Sequence, residues 1–357
     1  MTERNSDQTE DAAAGGEAET PPPRKRPAAR ILRRALISFL FLILLTGGGA
    51  AWLFHWAQTV HRQAGPLTAD TTVVIEPGSG LQRIARNLAE SGVIDHPEVF
   101  IAMLRYSGDH TRLKAGEYRF EAGLSQAEVA GKLIEHDVLV HFLTVPEGLT
   151  VAEVLEIVAT ADGLTGEMPA PPEEGSLLPE TYQYRRGDTR ADVLGRMQAS
   201  MDAALMDLWE GRAENLPVST PREALILASI VEKETGVAAE RARVAAVFVN
   251  RLRRGMRLQS DPTVVYALTG GQAPLGRALT RQDWKVDNPY NTYRVDGLPP
   301  GPIANPGRLT LQATLNPAET KELYFVADGT GGHAFAETLA QHNRNVAKWR
   351  KIRSQTD

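Results

Sequence analysis

The 357-residue sequence has no cysteine, and aromatic residues make up only 6% of it. The missing thiol excludes disulfides, thiolate catalysis and cysteine-ligated zinc or iron–sulfur sites. An excess of positive charge is missing too. Lys and Arg number 39 against 44 Asp and Glu, a net charge of −5, so no general basic field is offered to nucleic acid. Neither HExxH, an EF-hand loop, a P-loop, GxSxG nor GxGxxG with a following ribose-binding acid occurs. The sequence therefore calls for no cofactor and no metal. What is present, 42% hydrophobic and 23% charged residues, suits a folded chain with a sizeable core. The length leaves room for about two domains.

Residues 1–34 carry no apolar periodicity and end in a basic cluster of Arg24, Lys25, Arg26, Arg30, Arg33 and Arg34, the pattern of a disordered tail. From Ala35 to Phe54 run 20 uncharged residues. At about 1.5 Å per residue a helix of that length crosses a hydrocarbon layer roughly 30 Å thick. Trp52 and Trp56 suit an interfacial position, and the one-sided Arg cluster predicts a cytoplasmic N-terminus. The rival, a cleaved signal peptide, normally has an apolar core of about 7–15 residues after a short basic start. Here 34 residues precede the run, which favours a membrane anchor.

Three later segments share one grammar: 73–94, 118–139 and 142–164 each give a β-rich run, a Gly turn and an amphipathic helix. Each helix is predicted to open with a capping box, pairing Ser79 with Gln82, Ser125 with Glu128 and Thr150 with Glu153. Residues 165–179, rich in Pro, Gly and Glu, read as a linker or surface loop. Thr220-Pro221-Arg222-Glu223 then starts a helix running to about Thr235, nearly all apolar from Leu225 to Val231 and so buried on several sides. A second helix covers about 238–254, and Asp261-Pro262 starts a third, with Asp261 as its expected N-cap. Residues 288–307 hold too many Pro and Gly for a helix or a central strand, and a long irregular loop inside a folded domain is usually functional. Strands are expected at 323–327 and 333–336 around a Gly-rich turn, followed by a last helix to about 352.

The unusual placement is Glu232-Lys233-Glu234 at the C-terminal end of an apolar helix. The helix dipole disfavours an anionic carboxylate there by roughly 0.3–1 kcal/mol, and desolvation acts in the same direction. A carboxyl group that keeps its proton near neutral pH is what general-acid cleavage of a glycosidic bond needs. The two acids sit about 200° apart around the helix, so at most one faces a given cleft, and periodicity alone leaves both open. Gln259, Asp261, Asn291, Tyr293, Asn305 and His333 are the other candidates, able to meet a sugar through amides, a carboxylate, an aromatic face or an imidazole.

The stretches ALILASIVEKETG (224–236), VFVNRLRRGMRLQSDPTVVYAL (247–268), YNTYRVDGLPPGPIANPG (290–307) and LYFVADGTGGHAFAETLAQHNRNV (323–346) together resemble the bacterial YceG-like family of endolytic murein transglycosylases. One departure is EGSLLPETY (174–182), where the family more often has Phe and Asp in place of Leu178 and Glu180. The resemblance implies an α+β protein with a disordered cytoplasmic tail (1–34), a single transmembrane helix (35–54), a small LysM-like α+β module (65–140) and a mixed α/β catalytic domain (141–352). It implies a single-pass protein of the bacterial inner membrane that cuts nascent peptidoglycan glycan strands on the periplasmic side, with peptidoglycan synthases as partners.

The resemblance favours Glu232 as the catalytic residue. It would protonate the oxygen between MurNAc and GlcNAc, then accept the MurNAc C6 hydroxyl proton, leaving a 1,6-anhydro-MurNAc end. A water-using muramidase would need a second carboxylate, for which Glu234, Asp261, Asp283 and Asp287 stay open. A non-catalytic peptidoglycan-binding scaffold is the reading from a different class.

Overall fold

The computed structural model describes residues 27–356, which divide into one compact unit up to Gln63 and another from Ala64 onward. The first unit is a single helix, α1 (Pro27–Arg62). Of the predicted tail, residues 1–26 lie outside the described residues, whereas 27–34 are helical. A charge ends an apolar run but not a helix, and the Arg, Leu and Ala around the run are good helix formers. The apolar middle is bare, with Leu36, Phe41, Leu44 and Trp52 all more than half exposed. It is the one described helix long and apolar enough to cross a membrane.

The second unit begins with strand β1 (Thr71–Ile75), helices α2 (Leu81–Glu90) and α3 (Pro97–Ser107), strand β2 (Gly116–Phe120) and helix α4 (Gln126–Glu135). β1 and β2 are antiparallel, Thr71 opposite Phe120 and Ile75 opposite Gly116. Their inward faces and the three helices bury Ile75, Leu88, Phe100, Tyr118, Phe120 and Leu133 in one core. Strand β3 (Val140–Thr144) leads into α5 (Val151–Thr160) and pairs antiparallel with β4 (Thr181–Arg185). Capping boxes form at Ser125–Glu128 and Thr150–Glu153, while α2 is capped by Gly80 with no side-chain bond, so the box predicted at Ser79 is not made. The predicted linker at 165–179 is a packed loop, because Leu177 and Leu178 are buried in neighbouring cores.

Helix α6 (Arg190–Glu210) precedes the central helix α7 (Pro221–Glu234), whose residues Ala224 to Val231 are all buried. α7 is surrounded by α6, α8 (Arg241–Arg253), α9 (Asp261–Thr269) and α10 (Arg308–Leu315), which explains why its apolar run has no polar face. Residues 288–307 form neither helix nor strand, yet 301–307 are buried against it. The hairpin β5 (Tyr324–Ala327) and β6 (His333–Ala336) and the final helix α11 (Leu339–Thr356) close the unit.

Candidate active site

α7 stops at Glu234 because Thr235 is extended, and its last turn presents Glu232 and Glu234 to different surroundings. On the Glu232 side, the loop between β3 and α5 folds over the helix end. Lys233 Nζ donates to the Gly148 carbonyl at 3.0 Å, and Gly148 N–H donates to the Asn305 carbonyl at 3.0 Å. The buried strap 301–307 then brings Gly307 N–H to the Glu232 carboxylate at 2.9 Å. Glu147, paired with Arg241 at 2.7 Å, lies so close to Gly307 that a Cβ there would run into its carboxylate. Burial, and then repulsion from Glu232, raises the Glu147 carboxyl above its ordinary pKa.

Glu234 faces a different chamber, a cleft of about 320 Å³ lined among others by Arg251, Gln259, Asp261, Tyr293 and Tyr324. The Ser260 hydroxyl donates to its carboxylate. Burial dominates and pushes Glu234 up to about 7, and the charge of Asp261 adds to the rise. Ser260, His333 and Arg251 oppose it. Arg251 is fixed by carbonyls, its Nε donating to Leu323 at 2.7 Å and its Nη1 to Leu258 at 2.6 Å. Asp261 Oδ1 accepts from the Tyr293 hydroxyl at 2.7 Å and from Trp284 Nε1 at 2.9 Å. Asp261 also lines a second cleft of about 440 Å³ with Thr150, Lys233, Val265 and Tyr266, so it is common to the walls of both.

The YceG-like family matches residues 73–348 of this chain. The chain belongs to the YceG-like family. The endolytic murein transglycosylase of Streptococcus pneumoniae (strain D39 / NCTC 7466) is 30% identical over 78% of this chain and 58% of its own length. The endolytic murein transglycosylase of Bacillus subtilis is 30% identical over 77% of this chain and 83% of its own. The chain thus spans somewhat more than half the length of the streptococcal relative. A crystal structure of a putative yceG-like protein from Listeria monocytogenes matches with a TM-score of 0.47 at 30% identity, covering 77% of this chain and 98% of that one.

Among the residues singled out in this YceG-like chain, Gln259, Asp261 and Tyr293 converge on the Glu234 cleft. Gln259 holds a left-handed backbone (φ 50°), a conformation costly for a side chain of its kind. Asp261 is the first residue of α9 and not its N-cap, because Ser260 holds the cap position and spends its hydroxyl on Glu234. Asn291 and Asn305 are fully buried and their amides are already engaged, so they build the loop and do not face a sugar. Asn291 donates to the carbonyls of Trp284 (3.1 Å) and Val286 (2.8 Å) and accepts from Tyr293 N–H at 3.1 Å. Asn305 accepts from Leu177 N–H and donates to the Leu149 carbonyl, both at 2.9 Å.

His333 lies against Phe325 and Phe335, its Nδ1 2.7 Å from Glu240, near enough to Glu234 to oppose the rise in its pKa. Asp283 is held well below the ordinary carboxyl pKa by Arg277 and Thr280, and Asp287 is fully exposed. Neither lines either cleft. Sequence reasoning missed Glu147, Ser260, Arg251 and Trp284. For Glu147 the signal lies in VPEG (145–148), which equally fits the turn of the strand–turn–helix pattern.

Proposed function

We propose that this chain is a membrane-anchored endolytic lytic transglycosylase acting on peptidoglycan strands, with Glu234 as the proton-transferring residue. The observation that carries the reading is the part-buried Glu234 carboxyl at the wall of a polar cleft, held by Ser260 and pushed up to about 7 by desolvation. A group poised there is protonated often enough to act as an acid at neutral pH and gives up its proton readily enough to return as a base. The proton goes to the glycosidic oxygen between MurNAc and GlcNAc. The carboxylate left behind, with Ser260 and Arg251 favouring its charge, then takes the proton of the MurNAc C6 hydroxyl as that oxygen closes on C1. The products are a 1,6-anhydro-MurNAc end and a free GlcNAc hydroxyl, with no water consumed. Asp261, beside the reacting carbon in this reading, offsets positive charge on an oxocarbenium-like transition state.

The resemblance alone favoured Glu232. Its carboxylate is bound by a backbone N–H and its side chain lines neither cleft, which supports a role in holding the strap. The apolar run of α1, preceded by Arg30, Arg33 and Arg34, supports an anchor with the tail in the cytoplasm and the enzyme in the periplasm. Uncrosslinked glycan strands incubated with the full chain, its Glu234→Gln variant and its Glu232→Gln variant, then analysed by mass spectrometry, test the reading. Anhydro ends lost in Glu234→Gln support it, whereas anhydro ends lost only in Glu232→Gln move the acid role to Glu232. Asp261 next to Glu234 also suits a water-using hydrolase, and reducing ends one water heavier would establish that second reading.

A further inference from the structure

Behind the Glu234 site sit two fully buried threonines that the chemistry above does not use. Thr263 lies in the first turn of α9, and Thr292 lies in the irregular loop 288–307. The Thr263 hydroxyl donates to the Ser260 carbonyl at 2.6 Å, which spends its only proton. In the 2.8 Å contact between the two hydroxyls, the donor must therefore be Thr292. The Thr292 oxygen in turn accepts from the Ser260 N–H at 3.0 Å. These three bonds close a ring in which every proton is assigned, and the ring holds Ser260 by its N–H and its carbonyl together. Ser260 is 1% exposed, so its backbone groups have no water to fall back on. Thr292 adds a fourth bond, its carbonyl accepting from the Gln259 N–H at 3.2 Å.

The ring accounts for the backbone beside it. Gln259 keeps a left-handed conformation that persists only where the surroundings over-determine it, and Thr292 supplies this by gripping the N–H groups of Gln259 and Ser260 in succession. With that peptide fixed, the Ser260 hydroxyl crosses the α7–α9 junction to Glu234. We infer that Thr263 and Thr292 are positioning residues of this site, whose ring of hydrogen bonds fixes the Ser260 backbone and, through it, the hydroxyl that meets the Glu234 carboxylate. The inference rests on Glu234 as the proton-transferring residue. Neither threonine lines the cleft. The titratable groups that face Glu234 there are Asp261 from α9, Arg251 from α8, His333 from β6, Tyr293 from the loop, Tyr324 from β5 and His342 from α11. Asp261 and Tyr293 are chain neighbours of the ring, so its action through Ser260 has to be separated from any action through them.

The test follows the pH profile of strand cleavage by the full chain in detergent micelles, with Thr292→Val and Thr292→Ser. Valine keeps the shape of threonine and removes the hydroxyl, so the Ser260 N–H loses its partner. The alkaline limb should then move up by about 0.5–1 pH unit, in the direction expected of Ser260→Ala. Serine keeps the ring and should leave the limb at the parental pH. In a chain already carrying Ser260→Ala, Thr292→Val should add no further shift. A limb that Ser260→Ala moves and Thr292→Val does not overturns the inference, and so does a further shift in the Ser260→Ala chain, which would route the effect through Asp261 or Tyr293. If the thermal midpoint shows that Thr292→Val does not fold, Thr263→Val gives the same readout, because it opens the ring while leaving the Ser260 N–H its acceptor. A limb that neither change moves, together with cleavage by Glu234→Gln, refutes Glu234 as the acid, and the positioning role falls with it.

Discussion

The hydroxyl of Ser260 donates to the carboxylate of Glu234 across the junction of α7 and α9. It is the strongest of the influences favouring the charged form in a place where burial disfavours it. Ser260→Ala therefore raises the Glu234 pKa further. If Glu234 is the acid, the alkaline limb of the pH profile of strand cleavage moves to higher pH in the variant, and a shift to lower pH contradicts the assignment.

Glu234 also links stability to pH. Its folded pKa of about 7 lies above the ordinary 4.5, so the native state holds a proton that the unfolded chain releases as pH rises from about 4.5 to 7. Native stability is therefore lost across that window, and the loss is complete above it. Glu234→Gln should be more stable than the parent at pH 8 by on the order of 1–3 kcal/mol and nearly equal to it at pH 4. Urea unfolding at both pH values measures this.

A Cβ at Gly307 would meet the Glu147 carboxylate, the movable end of a partly exposed side chain. Gly307→Ala therefore turns Glu147 away from Arg241, at a cost of up to about 1 kcal/mol. Glu147→Ala in the same chain should return much of that stability, because the two changes meet at one point. Additive losses in denaturant titrations would falsify the picture of a shared site.

Asn305→Ala leaves the Leu177 N–H unpaired in the interior and should destabilise by about 1–3 kcal/mol. A sugar-binding Asn305 would instead raise KM in a protein of unchanged melting temperature. Calorimetry beside strand-cleavage kinetics separates the two roles.

Much of the fold is legible in the residues. Ser125 and Thr150 cap their helices as their spacing says, and the run Leu225–Val231 announces a helix enclosed on every side. Local grammar cannot find a strand whose partner is distant, so β4, which exists by pairing with β3, went unseen, as did α6. The site divides in the same way. The pair of acids at the end of an apolar helix stood out, but choosing between them depends on Gly307 and Ser260, and no spacing rule ties either residue to α7. Asn291 and Asn305 look like sugar ligands in a loop sequence, and only the carbonyls around them show that their amides are taken.

The strap at 301–307 reaches the end of α7 only after crossing the loop that carries Glu147 and Gly148, so the helix end is finished by contacts from both early and late parts of the chain. Such closure cannot be made before residue 307 has been synthesised. A chain that stops short of it holds both glutamates without the surroundings that tell them apart. Whatever bond this site breaks, truncating the chain ahead of Gly307 leaves the two acids undistinguished.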